Sequence, residues 1–239
     1  KKQIKYMSVI PVLMYHSIAE DGQKMSVSKH NFHKQMKTML KLGFKGVNLR
    51  DVLKDKSKKK FVVTFDDGYQ NVFTNAYPIL KELNLKATCF FVTNKIGKFN
   101  EWDENNNYYK KRNIMNEDQI LEWNENGFEV GSHSLDHENL TKIDPLKKKD
   151  QIAMSKLFLK EKYKIDVKSF SYPFGRFDDD CVNIARKYYE YSVTTKRSRY
   201  KTKIFETSKI PRIPVNSDTT LFKFLIKTLT IYEDIKFNP

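Results

Sequence analysis

The sequence is poor in cysteine and contains no long apolar run. Only Cys89 and Cys181 occur among its 239 residues, which implies no disulfide framework. No apolar stretch approaches the roughly 20 residues that a membrane-spanning helix needs. Internal repeats, low-complexity segments and linkers are also missing, and the length suits one hydrophobic core. These absences argue against a disulfide-rich scaffold, a membrane span and a repeat array, and they predict one domain over residues 1–239.

Acidic residues are outnumbered, with 29 Asp and Glu against 44 Lys and Arg, which gives a formal net charge of +15. Much of the excess lies in the lysine-rich segments Lys54–Lys60 and Lys147–Lys149. Proteins that bind single-stranded nucleic acid interleave aromatic residues with basic stripes. This sequence does not, so we expect no nucleic-acid partner. Association with an anionic envelope polymer or membrane surface and a merely lysine-rich composition are both consistent with the charge.

Short apolar, β-branched segments alternate with longer polar segments of helical character. This alternation predicts an α/β protein, with a parallel sheet covered by helices in a single distorted, incomplete (β/α) barrel. We place the strands at Val9–Tyr15, Phe61–Phe65, Ala87–Val92, Phe128–Gly131, Ser169–Tyr172, Tyr191–Thr194 and Ile210–Ile213. We place the helices at Ser28–Leu42, Val72–Leu83, Asn116–Asn126, Pro145–Lys162, Asp179–Tyr189 and Thr219–Leu229.

Two pairs of metal-binding residue types follow two of the predicted strands. Asp66 and Asp67 come directly after one strand, and His133 and His137 follow another. The carboxyl ends of barrel strands carry the chemistry in such folds, and residues i and i+4 share one face of a turn. Either pair alone is commonplace, as a turn or as a solvated face. Both at successive strand ends indicate a metal-dependent hydrolase, which needs two imidazoles and one carboxylate as ligands and a free carboxylate as base.

Three motifs in this order resemble those of the polysaccharide deacetylases with a NodB homology domain, carbohydrate esterase family 4. They are Thr64–Gly68 (Thr-Phe-Asp-Asp-Gly), His133–His137 (His-Ser-Leu-Asp-His) and Ser171–Gly175 (Ser-Tyr-Pro-Phe-Gly). The resemblance extends from Pro11 to Pro214 and therefore covers nearly the whole chain.

The resemblance implies a role for each matching residue. Asp66 would be the general base, and the backbone N–H near Phe174 would help to bind the oxyanion. The implied cofactor is a divalent metal, for which zinc is the best fit, although other first-row metals suit the same donors. The metal ligands would be Asp67, His133 and His137, and the substrate and oxyanion site would include Tyr172, Pro173, Phe174 and Gly175.

The third motif departs from the common pattern of that family. Ser171 stands where the family usually has an arginine that orients the base, and Phe174 stands where it usually has tyrosine. We expect Arg212, in the late segment Ile210–Pro214, to orient Asp66 instead. The alternative is an ordinary surface arginine in a turn.

The late histidine that usually serves as general acid is also missing, since no histidine follows His137. His16 comes directly after the first predicted strand, at the same rim as the other motifs. This placement resembles the circularly rearranged branch of the family that includes the poly-N-acetylglucosamine deacetylases, in which an N-terminal Tyr-His pair supplies the acid. We therefore predict His16 as the general acid. A structural histidine beside a strand is the alternative.

One predicted loop, Thr93–Asn113, carries aromatic residues among polar ones. Trp102, Tyr108 and Tyr109 lie there, immediately after a strand. Aromatic rings at the active-site rim suit stacking against sugar rings, so we expect Trp102 to contact substrate. Anchoring of the loop on the barrel is an equally good explanation.

The resemblance implies an enzyme that removes N-acetyl groups from N-acetylglucosamine-type units of a bacterial polysaccharide and releases acetate. The partner would be an acetylated amino-sugar polymer or oligomer, with peptidoglycan or a glycan precursor as alternatives. Two alternatives come from other classes: a carbohydrate-binding protein on the same fold, and a basic nucleic-acid or membrane-surface protein with an incidental metal site. The resemblance favours the cell envelope, whereas a native start at Met7 would imply a cytoplasmic enzyme. Nothing in the sequence fixes the oligomeric state.

Overall fold

The fold was analysed in a computed structural model, in which residues 8–104 and 110–237 are described. The strands are β1 (Val9–Ile10), β2 (Val12–Tyr15), β3 (Ser17–Ile18), β4 (Ser26–Val27), β5 (Lys45–Val47), β6 (Lys60–Phe65), β7 (Thr88–Phe91), β8 (Glu129–Ser132), β9 (Ser169–Ser171), β10 (Tyr191–Arg197), β11 (Tyr200–Lys201) and β12 (Ile210–Pro214). The helices are α1 (Lys29–Lys41), α2 (Tyr77–Glu82), α3 (Glu117–Glu125), α4 (Pro145–Tyr163), α5 (Asp179–Tyr188), α6 (Leu221–Leu229) and α7 (Tyr232–Lys236).

Seven of these strands form a closed parallel barrel. Their order is β2, β12, β10, β9, β8, β7 and β6, and β6 pairs with β2 to close the ring. At this seam Val12–Tyr15 lies in register with residues 62–65. β5 adds a short strand beside the start of β6. The predicted single α/β barrel is confirmed. It is incomplete in having seven barrel strands instead of eight, but its hydrogen-bonded ring is continuous.

Each of the seven barrel strands corresponds to one of the seven predicted strands, but the first predicted strand is divided in two. Pro11 divides the first prediction because it has no N–H to donate to a neighbouring strand. Its carbonyl still accepts a hydrogen bond of 2.9 Å from the N–H of Val62. The residues before it leave the barrel, and β1 pairs antiparallel with β11 instead. All carboxyl ends of the barrel strands therefore meet at one rim, where His16 follows β2 and Asp66 follows β6.

The helices also lie where the sequence predicts them, with two differences. The predicted helix Val72–Leu83 begins with a π-helical turn at Val72–Ala76 and becomes α-helical only at Tyr77. The short strand β5 and the short helix α7 are not predicted, because three and five residues are too few for a recognisable hydrophobic period. Asn116 caps α3 with a reciprocal capping box with Gln119, as the polar residue before the predicted helix suggests.

Aromatic packing fixes the strand that leads to the rim. Tyr15, Phe32 and Phe65 lie with ring centres 5.3–5.8 Å apart, and all three are fully buried. The Tyr15 hydroxyl donates a hydrogen bond of 2.8 Å to Oε1 of Gln35, which satisfies a buried polar group. Helix α1 is thereby held against β2 and β6. Within the described ranges, no helix combines the length and apolar character required to cross a membrane.

Candidate metal and active site

Three potential metal ligands converge at the carboxyl rim of the barrel. Oδ1 of Asp67 lies 3.5 Å from Nε2 of His133 and 3.5 Å from Nε2 of His137. The donor atoms of the three residues all lie within 4.8 Å of one another, and all three side chains are buried. Two imidazoles and one carboxylate are a donor set that zinc and other first-row divalent ions accept. The residues therefore fit the metal that the sequence predicts.

The loops that hold this cluster have unusual backbone conformations. Asp67, Ser134 and His137 have φ angles of 71°, 68° and 61°, a left-handed region that residues other than glycine rarely occupy. The N–H of His137 donates a hydrogen bond of 3.0 Å to Oγ of Ser134, which ties this loop to itself. His133 and His137 are thus brought together by the loop after β8, in which Ser134 and His137 have left-handed backbone conformations. No helical turn forms there. Strain of this kind concentrates at functional sites.

The histidine rings present Nε2 to the cluster. Nδ1 of His133 donates a hydrogen bond of 2.7 Å to the carbonyl oxygen of Ser171, and this bond leaves Nε2 with its lone pair free for a metal. Nδ1 of His137 is buried without a partner among the described residues. The His137 ring lies between Trp102 and Phe174, with ring centres 4.7 and 4.4 Å away. Packing, in place of a hydrogen bond, orients this second imidazole.

Arg212 forms a bidentate ion pair with Asp66. Nη1 and Nη2 donate to Oδ1 and Oδ2, each at 2.7 Å. The guanidinium also donates to Thr194 O, Thr64 Oγ1 and Ser171 Oγ, and the side chain is fully buried in β12. Arg212 is therefore not a surface residue in a turn. It reaches the small Ser171, where the related family usually carries its own arginine, and it fixes the plane of the Asp66 carboxylate.

The pKa values of the two adjacent aspartates shift in opposite directions. Burial raises the pKa of a carboxyl group, but the Arg212 guanidinium overrides burial at Asp66 and holds its pKa far below the usual range. At Asp67, burial and the negative charge of Asp66 raise the pKa, and a hydrogen bond from the Tyr69 side chain opposes them only in part. Asp67 has no guanidinium pair in the described part of the chain, so a bound cation is the group that would stabilise its charge.

His16 lies beside Asp66 at the end of β2. Its Nε2 is 3.9 Å from Oδ2 of Asp66. Burial lowers the pKa of His16 from 6.5 to about 4, and this effect exceeds the opposing effect of the Asp66 charge. The imidazole is therefore neutral near pH 7. No hydrogen bond to a described residue anchors its ring, which sets it apart from a satisfied structural histidine.

The site opens into a cleft of about 1020 Å³. Trp102 and Phe174 line it together with Asp66, Asp67 and both cluster histidines. Trp102 is held by its stacking on His137, so it is packed against the barrel and borders the cleft at the same time. Trp102 is therefore placed both to anchor its loop on the barrel and to contact a ligand in the cleft. Tyr108 and Tyr109, which the sequence groups with it, lie outside the described residues.

The predicted substrate segment 172–175 faces the cleft only in its second half. Phe174 is 47% exposed and lines the cleft with Gly175. Tyr172 and Pro173 are buried and do not line it, and the contact of these two residues with substrate stays a prediction. The Tyr172 hydroxyl donates instead to Ser208 O at 3.0 Å, and its ring packs on Phe177. Tyr172, which directly follows β9, points away from the cleft, and the chain reverses only at Phe174, where φ is 57°.

Gly175 allows this reversal to pass close to β10. Its φ is +66°, and a Cβ atom at this position would lie 1.9 Å from Oγ1 of Thr195. Its N–H donates to Tyr172 O at 2.8 Å. The N–H of Phe174, by contrast, has no acceptor among the described residues, so it is free to bind an external oxygen.

Tyr69 and Arg112 also line the cleft, and the sequence does not single them out. Tyr69 is almost fully buried and hydrogen-bonds Asp67 through its side chain. Arg112 lies over the Tyr69 ring, 5.6 Å from its centre, and its Nη2 donates to Asp21 Oδ2 at 2.6 Å. The position of Tyr69, two residues after Asp67, is the only sequence signal that points to it. Arg112 sits in a polar loop, and its approach to the site depends on tertiary structure alone.

Comparison with known proteins identifies related chains. The family described as polysaccharide deacetylase matches residues 53–192, more than half of the chain. The Bacillus subtilis protein YxkH, which bears the name polysaccharide deacetylase, is 30% identical over 194 residues, or 78% of this chain and 64% of its own. The poly-β-1,6-N-acetyl-D-glucosamine N-deacetylase of Staphylococcus epidermidis is 28% identical over 232 residues, or 91% of this chain and 77% of its own.

The fold is similar to solved structures as well. A crystal structure from Bacillus anthracis, also named as a polysaccharide deacetylase, superposes with a TM-score of 0.79 at 29% identity, covering 93% of this chain and 69% of that one. The chain spans less than two thirds of the length of YxkH, so the relatives contain segments that have no counterpart in it.

Proposed function

The chain belongs to the polysaccharide deacetylase family, and from this membership we propose that it is a metal-dependent N-deacetylase. It would remove N-acetyl groups from N-acetylglucosamine-type units of a polysaccharide and release acetate. One observation carries the proposal: the Asp67, His133 and His137 donors lie within 4.8 Å of one another, beside a carboxylate that Arg212 holds by two 2.7 Å hydrogen bonds.

Asp67, His133 and His137 are the residues that would hold the metal, and zinc suits them best. When bound, such an ion supplies Lewis acidity to a carbonyl oxygen and lowers the pKa of water. The protein contributes preorganisation: the Ser171 carbonyl fixes His133, and the rings of Trp102 and Phe174 fix His137. Because the side chains of the three ligands are buried, bulk water would not compete for their metal-binding atoms.

Asp66 would accept a proton from the attacking water. Because its pKa is held low, Asp66 is ionised and ready to accept, but it is a weak base that must pass the proton on. His16 is neutral near pH 7, and its Nε2 lies 3.9 Å from Oδ2 of Asp66. We infer that the proton moves from water to Asp66 and then to His16. His16 next gives it to the sugar nitrogen as the C–N bond breaks, which yields the free amine and acetic acid.

The cleft offers contacts for the rest of the substrate. The unpaired N–H of Phe174 would donate to the oxygen of the acetyl group as it gains negative charge. The exposed ring of Phe174 and the indole of Trp102 border the cleft and would pack on the apolar faces of sugar rings. The name of the Staphylococcus epidermidis relative supports poly-β-1,6-N-acetylglucosamine as the substrate, and that polymer suits an enzyme of the cell envelope.

Acetate release from a β-1,6-linked N-acetylglucosamine oligomer tests this proposal. We expect release by the purified protein, loss of release with a chelator and recovery with zinc. His16→Ala should retain zinc and lower kcat by about 10²–10⁴-fold, the usual contribution of a positioned acid. Binding of the oligomer without any acetate release in the zinc-loaded protein would instead indicate a carbohydrate-binding protein. The same assay with N-acetylated peptidoglycan fragments separates the two candidate substrates.

A further inference from the structure

Asp103 lines the cleft together with the metal ligands and has no part in the proposed reaction. It directly follows Trp102, whose ring packs on that of His137 with the ring centres 4.7 Å apart. Burial, the charge of Asp66 and the charge of Asp103 all raise the pKa of Asp67. The carboxylate of Asp103 therefore lies close to the cluster of metal ligands, on the wall of the cleft that the segment after β7 forms.

Asn100 holds this carboxylate in place. The side chain of Asn100 is buried and forms a hydrogen bond with the carboxylate of Asp103. Its Oδ1 accepts a hydrogen bond of 2.7 Å from the N–H of Arg112, and its Nδ2 donates one of 3.1 Å to the carbonyl oxygen of Lys110. Asn100 thus ties the backbone at residues 110 and 112 to the turn that carries Asp103, so the position of the acid is built into the fold.

The carboxylate of Asp103 has no ion pair within residues 8–104 and 110–237. The nearby guanidinium of Arg112 donates through Nη2 to Asp21 Oδ2 at 2.6 Å and to Ser26 Oγ at 3.0 Å. Burial raises the pKa of Asp103, and the hydrogen bond from Asn100 and the charge of Arg112 oppose this effect only in part. An ionised carboxylate can accept about four hydrogen bonds, so Asp103 keeps acceptor positions that a ligand in the cleft can fill.

Hydroxyl groups of a sugar suit these positions better than an ammonium group does. Lys24 and Arg176 line the same cleft, and neither has an ion pair in the described part of the chain, so a further cation would be repelled there. In an N-acetylglucosamine unit the amide is attached to C2. The neighbouring C3 and then C4 carry hydroxyl groups, whereas C1 on the other side carries the linkage oxygen, which has no hydrogen to donate. A carboxylate beside the reacting amide can therefore bind only the C3 and C4 side of the ring.

We propose that Asp103 accepts hydrogen bonds from the C3 and C4 hydroxyl groups of the acetylated sugar, and that the site thereby selects units in which both groups are unsubstituted. This inference rests on the proposed function, because it takes the C2 amide to lie at the metal site. Units of a β-1,6-linked polymer have both hydroxyl groups free, whereas inner β-1,4-linked units, as in peptidoglycan, use the C4 oxygen in the linkage. Asp103 would thus determine specificity without touching the reacting atoms.

Binding of a β-1,6-linked N-acetylglucosamine trimer and of its 4-deoxy counterpart tests the proposal. Zinc-loaded Asp66→Asn is the background, because it lacks the base and leaves the trimers intact. We expect the 4-deoxy trimer to bind about tenfold more weakly, the usual effect of losing a hydrogen bond to a charged group. Adding Asp103→Ala should weaken binding of the parent trimer by about tenfold or more. Glu104→Ala is the matched control, since Glu104 is exposed and does not line the cleft, and it should change neither affinity.

The two losses should not add, so the Asp103→Ala protein should bind both trimers equally. A 4-deoxy effect that persists in Asp103→Ala would overturn the proposal, because another residue would then bind the C4 hydroxyl. Equal affinities for the two trimers while Asp103 is present, or no binding of the parent trimer, would overturn it as well. Circular dichroism and elemental analysis establish that each variant is folded and holds zinc. These measurements need no turnover, so absence of acetate release by the wild type would refute the proposed function separately.

Discussion

Asp66 and Asp67 are neighbours in sequence but have different surroundings. Asp66 points to the guanidinium of Arg212, whereas Asp67 points to the Nε2 atoms of the two histidines. The positive φ of Asp67, 71°, turns its side chain away from the direction that a regular strand would give it. Asp67 can therefore bind a metal while Asp66 remains free to accept a proton.

Replacing each aspartate by asparagine should separate these roles. Asp66→Asn should retain bound zinc and lose nearly all turnover, because the amide cannot accept the proton. Asp67→Asn should lose zinc affinity, because a charged ligand is replaced by a neutral one. Elemental analysis and acetate release measure the two effects. Zinc loss in Asp66→Asn with zinc retained in Asp67→Asn would mean that the two roles are reversed.

Arg212 should act through the geometry of its two hydrogen bonds. Lysine keeps the charge but not the planar fork, so Arg212→Lys should leave Asp66 free to rotate. We expect kcat to fall by about 10²-fold, the usual effect of misplacing a reacting group by about 1 Å, with KM and zinc content nearly unchanged.

Arg186→Lys is the control for this substitution, since Arg186 pairs with Glu206 at an exposed position. It should leave kcat unaltered. If Arg212→Lys lowered zinc content as much as kcat, Arg212 would support the metal site and not the base.

Some of the site residues could be predicted from the sequence and others could not. The Asp-Asp and His-x-x-x-His pairs lie at strand ends, so the topology alone brings Asp67, His133 and His137 together. The buried position of Tyr172 could not be predicted, because the motif gives no information on which residue reverses the chain. The position of Arg112 and the hydrogen bond that His133 Nδ1 donates to Ser171 O could not be predicted, because they depend on the positions of loops in space.

At the scale of elements, apolar runs with turn residues between them were enough to find every barrel strand. The three-residue strand β5 was missed, because Lys-Gly-Val carries no period. The helix α7 was missed because five residues are too few to show a period. In addition, its acids lie inward and its isoleucines outward, which is the reverse of the pattern by which a surface helix is recognised.

The ion pairs of α7 should make its attachment sensitive to acid. Burial would raise the pKa of Asp234, but Arg199 and Lys201 outweigh burial and lower it from 3.8 to about 2. The folded state therefore binds this proton less readily than the unfolded state. The resulting stabilisation is complete above about pH 4 and is lost as the pH falls toward 2. Hydrogen exchange of residues 221–236 should accelerate over this interval before the barrel strands do.

Asp234→Asn should remove the same contribution at neutral pH. We expect the free energy of unfolding to fall by about 1–3 kcal/mol, because two partly buried cations lose the partner of their ion pairs. Asp166→Asn is a suitable control, since Asp166 is 76% exposed and should change stability by less than about 0.5 kcal/mol. Equal stability of the two variants in urea would show that the pair contributes nothing measurable.

At the scale of the whole molecule, the proposed metal would join β6 to β8 across the rim. An ion that binds only the folded chain stabilises it by mass action. Zinc at about 100 times its dissociation constant should therefore raise the free energy of unfolding by about 2.7 kcal/mol. Chemical denaturation with and without zinc measures this difference. His133→Ala should fold and show no zinc-dependent gain, whereas an equal gain in that variant would indicate binding elsewhere.

The pairing of β2 with β12 has a consequence for synthesis of the chain. β2 is made early, yet its partner β12 is made late, and Arg212 follows Asp66 by 146 positions. At about 5–20 residues per second, a ribosome needs roughly 7–30 s to make that interval. Throughout it, β2 keeps one unpaired edge, and β10 has one from the time it is made until β12 follows. An unpaired edge is a site for mispairing. The ion pair between Arg212 and Asp66 is thus available to the nascent chain only after Arg212 has been made, and no translation product that stops before Arg212 can form it.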